Sequence, residues 1–128
     1  MVGPIVAAMT AIATLSGYVL DCREPKQLAE FYHALTGLEI VELTDEWSQL
    51  APVGGAVLAF QQSADHEPPQ WPGTVHPQQA HLDFDVPDLD AGETAVLAIG
   101  ARKHDEQPGT TFRVFLDPAG HPFCLCQG

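Results

Sequence analysis

The residues best suited to chemistry stand at alternate positions in Gln79-Ala80-His81-Leu82-Asp83-Phe84-Asp85-Val86. Strict alternation is the period-2 signature of a strand with one buried face. It sends Leu82, Phe84 and Val86 to one side and His81, Asp83 and Asp85 to the other. An imidazole and two carboxylates on one face are costly to bury. Such a face suits either the lining of a solvent-reachable cup or the wetted side of an edge strand. In a cup, Asp83, Asp85 or His81 can act as a general base without metal, or accept hydrogen bonds from a ligand's amine or hydroxyl groups. Pairing Cys124 with His81 as a nucleophile would require an oxyanion hole and an orienting third group, and the sequence offers neither. No glycine loop suited to phosphate occurs, since Gly54-Gly55 reads as a hairpin turn. His121 falls in a turn and reads as structural, while His66 and His76 fall in a linker and are expected to be exposed.

The elements that must position these groups follow from periodicity. Residues 1–10 read as an extension, and Ala11–Asp21 reads as the first strand. Lys26–Leu35 is helical, with Leu28, Phe31, Tyr32 and Leu35 on one stripe, Pro25 at its start and Gly37 just past its end. Strands are expected at Leu38–Leu43, with Glu39, Val41 and Leu43 on one side, then at Glu46–Leu50 and Ala56–Gln61. From Ser63 to Gln78 the chain turns to Pro, His, Asp and Gln around Pro68-Pro69-Gln70-Trp71-Pro72, which forbids regular structure and makes a linker. The pattern then restarts: strand 79–86, helix Leu89–Ile99, strands at about Ala101–Asp105 and Phe112–Leu116, the turn Asp117-Pro118-Ala119-Gly120, and the strand Pro122–Gln127. An offset of 63 residues lays Gly37 on Gly100, Tyr18 on His81 and Phe60 on Phe123, so the chain is an internal repeat. Half the chain alone leaves a small sheet with open edges. The two βαβββ modules, about 12–62 and 79–127, are therefore expected to pair into one α+β domain. Helices cover the outer face of a curved mixed sheet, and the concave face stays open as a cup.

Composition narrows the partners. In 128 residues, 5 basic against 17 acidic side chains give a net charge of −12. Such a chain repels phosphate backbones and anionic lipid, which argues against nucleic acid and membrane surfaces. Three cysteines do not make a disulfide framework, and Cys124 and Cys126 share one strand face too closely to staple anything. Reduced thiols, and the lack of any Lys or Arg before Arg23, point to the cytoplasm. The apolar stretch Ile5–Ala13 is suited to docking on a second copy, so a homodimer is expected.

Leu28-Ala29-Glu30-Phe31-Tyr32 with Leu35-Thr36-Gly37-Leu38, then His81–Val86, then Asp117-Pro118-Ala119-Gly120-His121-Pro122-Phe123, together resemble the glyoxalase/bleomycin-resistance/dioxygenase (vicinal oxygen chelate) superfamily. The resemblance covers about residues 12–127. It implies a fold rather than a reaction. In metal-dependent members the ligands, His or Gln and Glu, come from the opening and closing strands of each half. Carried over, these positions fall on Gly17 (or Tyr18 by the repeat), on Ala59 with Gln61 as its polar neighbour, on His81, and on Cys124. Only His81 and Cys124 are donors there, so no complete metal site is expected; the alternative is a soft His/Cys zinc site completed by water or a partner chain.

Two functions follow from the resemblance. The first is capture of a small organic molecule in the cup without a metal. The alternative is a metal-dependent lyase, isomerase or dioxygenase of the glyoxalase I type, whose proton-moving glutamate this chain lacks at both expected places. The expected ligand-binding set is Asp21, Gln61, Trp71, His81, Asp83, Asp85 and Cys124. Asp21 stands where glutathione-using relatives often carry a basic residue. An acidic concave wall favours neutral or cationic ligands over anionic ones, and Trp71 from the linker is placed to close over a flat one.

Overall fold

The computed structural model describes residues 11–128. The first module is β1 (Gly17–Cys22), α1 (Pro25–Thr36), β2 (Ile40–Leu43), β3 (Trp47–Leu50) and β4 (Val57–Gln62); the second is β5 (Leu82–Val86), α2 (Leu89–Ala98), β6 (Arg102–Lys103), β7 (Phe112–Leu116) and β8 (Pro122–Gln127). Each module forms an open four-stranded sheet, in the orders β1-β4-β3-β2 and β5-β8-β7-β6. The opening strand runs parallel to the closing one and the remaining pairs are antiparallel. This is the α+β arrangement of two βαβββ modules expected from the repeat. The linker between Gln62 and Leu82 carries no helix or strand, as its prolines require.

Helix α1 starts on Pro25 and ends where Gly37, at φ 76°, donates its N–H to the His33 carbonyl. Its stripe of Leu28, Phe31 and Tyr32 is buried. Tyr32 stacks on Phe60 of its own module and also meets Phe84 and Phe123 of the other. One apolar cluster therefore spans both modules. Helix α2 is capped by the Asp88 side chain, which accepts from the Asp90 N–H at 3.2 Å.

The structure corrects several expectations. Residues 11–16 are not strand, and Ile12 is fully exposed. Partner strand β4 begins only at Val57, whose N–H reaches the Ser16 carbonyl, so nothing earlier has a ladder to join. Glu39, Val41 and Leu43 do not share a face. The register slips between Ile40 and Glu42, so Ile40 pairs with the buried Leu50 and Leu43 with the buried Ser48, while Leu43 itself stays exposed. His66 is half-buried rather than exposed, its Nε2 3.1 Å from the Ala119 carbonyl and its ring 4.9 Å from that of His121. The docking segment Ile5–Ala13 lies largely outside the described residues.

Candidate functional site

Strand register builds the site. On the face of module two away from the helices, Asp83 stands beside Cys124 and Cys124 beside Val114; one row further, Asp85 stands beside Cys126 and Cys126 beside Phe112. Leu82, Phe84 and Val86 pack against the core, as alternation requires. His81, just before β5, brings its Nε2 to 3.1 Å from Asp83 Oδ1. The linker crosses in front of these rows, so Trp71 and Gln78 join His81, Asp83, Pro108, Phe112, Val114, Pro122, Cys124 and Cys126 around a cavity of about 370 Å³. Trp71 is held edge-on by His104, with ring centroids 5.1 Å apart.

Asp83 is the centre of this arrangement. Cys124 stands beside it, and burial first, then the Asp83 charge, push that thiol up to about 12. Burial, with Asp83 and Asp85 nearby, also raises Cys126. A thiol raised in this way carries little thiolate at physiological pH, which argues against a Cys124–His81 nucleophilic pair.

The expected site residues separate into groups. His81, Asp83, Cys124 and Trp71 meet at the cavity. Asp85 shares their face in the next row, near Gly128. Asp21 and Gln61 are ladder partners on module one. Asp21 lines a separate hollow of about 650 Å³ with His66, Glu67, His76 and His121, and its carbonyl lies 2.6 Å from His121 Nε2. The equivalent surface of module one is filled: Trp47 Nε1 donates to Gln49 Oε1 at 3.0 Å, and Ala59, opposite Gln49, is fully buried. Sequence reading missed Gln78, Cys126, Phe112 and Val114. Strand parity with Cys124 carried the signal for Cys126, whereas Gln78 belongs to an aperiodic linker and gave none.

The register also adjusts the repeat. Leu20 pairs with Phe60 and Leu82 with Phe123, so β1 maps onto β5 at 82 − 20 = 62 while β4 maps onto β8 at 123 − 60 = 63. His81 then corresponds to Val19 rather than to Gly17 or Tyr18, and Cys124 corresponds to Gln61 rather than to Ala59. Val19 offers no donor. A divalent ion would therefore rest on module two, where single atoms of His81, Asp83 and Cys124 lie within 4.8 Å of one another. One nitrogen, one carboxylate oxygen and one sulfur with an open fourth position are a set that zinc accepts once the thiol loses its proton. Asp83 is the donor that the two-ligand count from sequence left out.

Among the described residues, no helix is long and apolar enough to cross a membrane. No curated protein matches the chain. Its fold is similar to a glyoxalase/bleomycin resistance protein/dioxygenase family enzyme from Burkholderia phytofirmans PsJN, at TM-score 0.67 and 21% identity, covering 88% of this chain and 97% of that one. It is also similar to the fosfomycin resistance protein FosX from Listeria monocytogenes (TM-score 0.66, 16% identity, covering 92% and 93%) and to FosX from Mesorhizobium loti (TM-score 0.64, 17% identity, covering 92% and 94%). The family model for the glyoxalase-like domain matches residues 17–126. A match that runs from the first residue of β1 almost to the end of β8, on two βαβββ modules, places the chain in the glyoxalase-like domain family.

Proposed function

We propose that this chain binds a small organic molecule, without a resident metal, in the cavity between β5, β7, β8 and the linker. The observation that carries this reading is one cavity in which Trp71 of the linker faces the same space as His81, Asp83 and Cys124 of the strands. A mostly apolar hollow with a few converging polar groups is the usual form of a small-molecule site. His81 Nε2 already lies 3.1 Å from Asp83 Oδ1, so the carboxylate has a neighbour within the protein without an ion. Trp71→Ala is expected to weaken binding of aromatic fragments at least fivefold in ligand-observed NMR without changing the fold. Undiminished binding would place the site elsewhere.

The second reading is a zinc-dependent lyase, isomerase or dioxygenase of the glyoxalase I type, favoured by the three-donor cluster of His81, Asp83 and Cys124. In that case the metal supplies Lewis acidity, while the three side chains hold it. Elemental analysis of protein purified without chelator separates the two readings. Stoichiometric zinc that disappears in His81→Ala selects the second. We propose also that the chain works in the cytoplasm, in keeping with its free cysteines, and that it is a homodimer, supported by the exposed apolar side chains of Ile12, Leu15, Tyr18 and Val19. Sedimentation at micromolar concentration tests the dimer, and a mass near one chain would refute it.

A further inference from the structure

We infer that the ligand of this cavity is a hydrogen-bond-donating cation, an ammonium or amidinium group carried on a flat apolar body. The inference rests on the small-molecule reading above and adds the chemical class. It starts from Gln78, whose side-chain oxygen is buried and has no hydrogen-bond partner although its residue lines the cavity. A buried acceptor left unpaired costs about 1–3 kcal/mol. Among the described side chains it is the one buried polar atom left without a partner, and it belongs to a wall of this cavity.

The remaining acceptors point the same way. Asp83 lines the cavity, and of the about four lone-pair sites that a carboxylate offers, only the Oδ1 side is approached by His81, at 3.1 Å. Asp85 adds a second carboxylate on the same strand face. Opposing charge is scarce. No Lys or Arg lines the cavity. Four of the five basic side chains are engaged elsewhere: Arg23 with Glu67, Lys26 with Asp45, Lys103 with Glu93, and Arg113 with Asp90 and Glu93. The other walls are Trp71, Phe112, Val114 and two prolines, which favour a flat ring and the positive charge it carries. An anion would meet the Asp83 carboxylate with no Lys or Arg in the lining to offset it, and a neutral ligand would forgo the charge-assisted bonds.

The test separates charge, donors and location with four single-ring probes: benzamidine, benzyltrimethylammonium, benzyl alcohol and benzoate. Affinities are read by calorimetry, and location by the indole N–H resonances of Trp71 and Trp47. Benzamidine is expected to bind about tenfold more tightly than benzyltrimethylammonium, which has charge but no donors, and to shift the Trp71 signal alone. Asp83→Asn should weaken benzamidine about tenfold while benzyl alcohol stays within about twofold. Gln78→Met, which keeps bulk and removes the acceptor, should narrow the gap between the two cations to about threefold or less. If benzyl alcohol or benzoate binds as tightly as benzamidine while shifting Trp71, the class is wrong and the site stands. If the probes bind without moving Trp71, the site itself is wrong and the inference falls with it. A panel silent up to about 10 mM overturns the inference as well.

Discussion

Asp83 serves two neighbours at once, and this decides what its surroundings can do. His81 reaches it at 3.1 Å, while burial and then the Asp83 charge raise the Cys124 thiol, so the nucleophilic potential of the sulfur is suppressed beside a carboxylate that lines the cavity. At pH 8 a thiol at about 12 holds about a thousandfold less thiolate than one at the ordinary 9.0. Native Cys124 is therefore expected to alkylate with iodoacetamide about a thousandfold more slowly than a free thiol, read by peptide mass spectrometry. Asp83→Asn should speed the reaction without restoring the free rate, because burial is the larger cause of the shift. Free-thiol reactivity in the native protein would overturn this picture of the site. The same chemistry sets an alkaline limit. Cys22 is pushed up to about 11, chiefly by burial. Both thiols stay neutral in the folded state where the unfolded chain would ionise them. Their contribution to stability is thus complete below pH 9 and is lost as pH rises towards 11 to 12. At this scale the sequence was legible for His81, Asp83 and Asp85, because alternation is a local signal. The service of Asp83 to Cys124 was not legible, since it depends on a pairing across 41 residues (124 − 83).

Among the elements, the linker decides whether the strand face becomes a site. Its prolines announced that it would be irregular, but its path was not written in any periodicity. That path is set by the Asp117–Gly120 turn. Asp117 Oδ1 accepts from the backbone N–H groups of Ala119 at 2.8 Å and His121 at 3.0 Å, and the Gly120 N–H closes the turn onto the Asp117 carbonyl at 2.8 Å. Gly120 sits at φ 88°, and a Cβ there would come within 2.5 Å of Pro68 Cβ. A side chain at this position is opposed both by the backbone and by the linker. Gly120→Ala should cost about 1–3 kcal/mol in urea unfolding and loosen the linker that carries Trp71. Trp71 fluorescence in a Trp47→Phe background would then shift towards the red. An unchanged midpoint and spectrum would mean that the turn does not hold the linker. The β2 bulge and the loss of residues 11–16 from β1 escaped sequence reading for a related reason. Both are set by where a partner strand begins, and an isolated stretch of alternating residues does not record that.

At the scale of the whole molecule, the repeat made the architecture legible while leaving the joint between the modules open. The joint turns out to be a shared apolar core with a buried hydrogen bond inside it. Tyr32 of α1 and Asp117 of module two are both fully buried, and the Tyr32 hydroxyl donates to Asp117 Oδ2 at 2.6 Å. Burial raises the Asp117 carboxyl, and the hydrogen bond from Tyr32 is the largest influence pulling it back down. Tyr32→Phe keeps the ring stacked on Phe60 but leaves that oxygen without its donor, so the loss is expected at about 1–3 kcal/mol near pH 7. The sign with pH follows. A carboxyl raised in the folded state contributes fully below its ordinary value of 3.8 and loses that contribution as pH rises through its folded value. Removing the donor raises the folded value further, so the deficit of Tyr32→Phe relative to the parent should be large at pH 7 and shrink towards pH 4.5. Because the contact lies within a core common to both modules, the variant should still unfold in one transition with an unchanged denaturant slope. Urea titrations of parent and variant at the two pH values decide the matter. A deficit independent of pH would remove Asp117 from its cause, and two separate transitions would show that the modules do not fold as one unit.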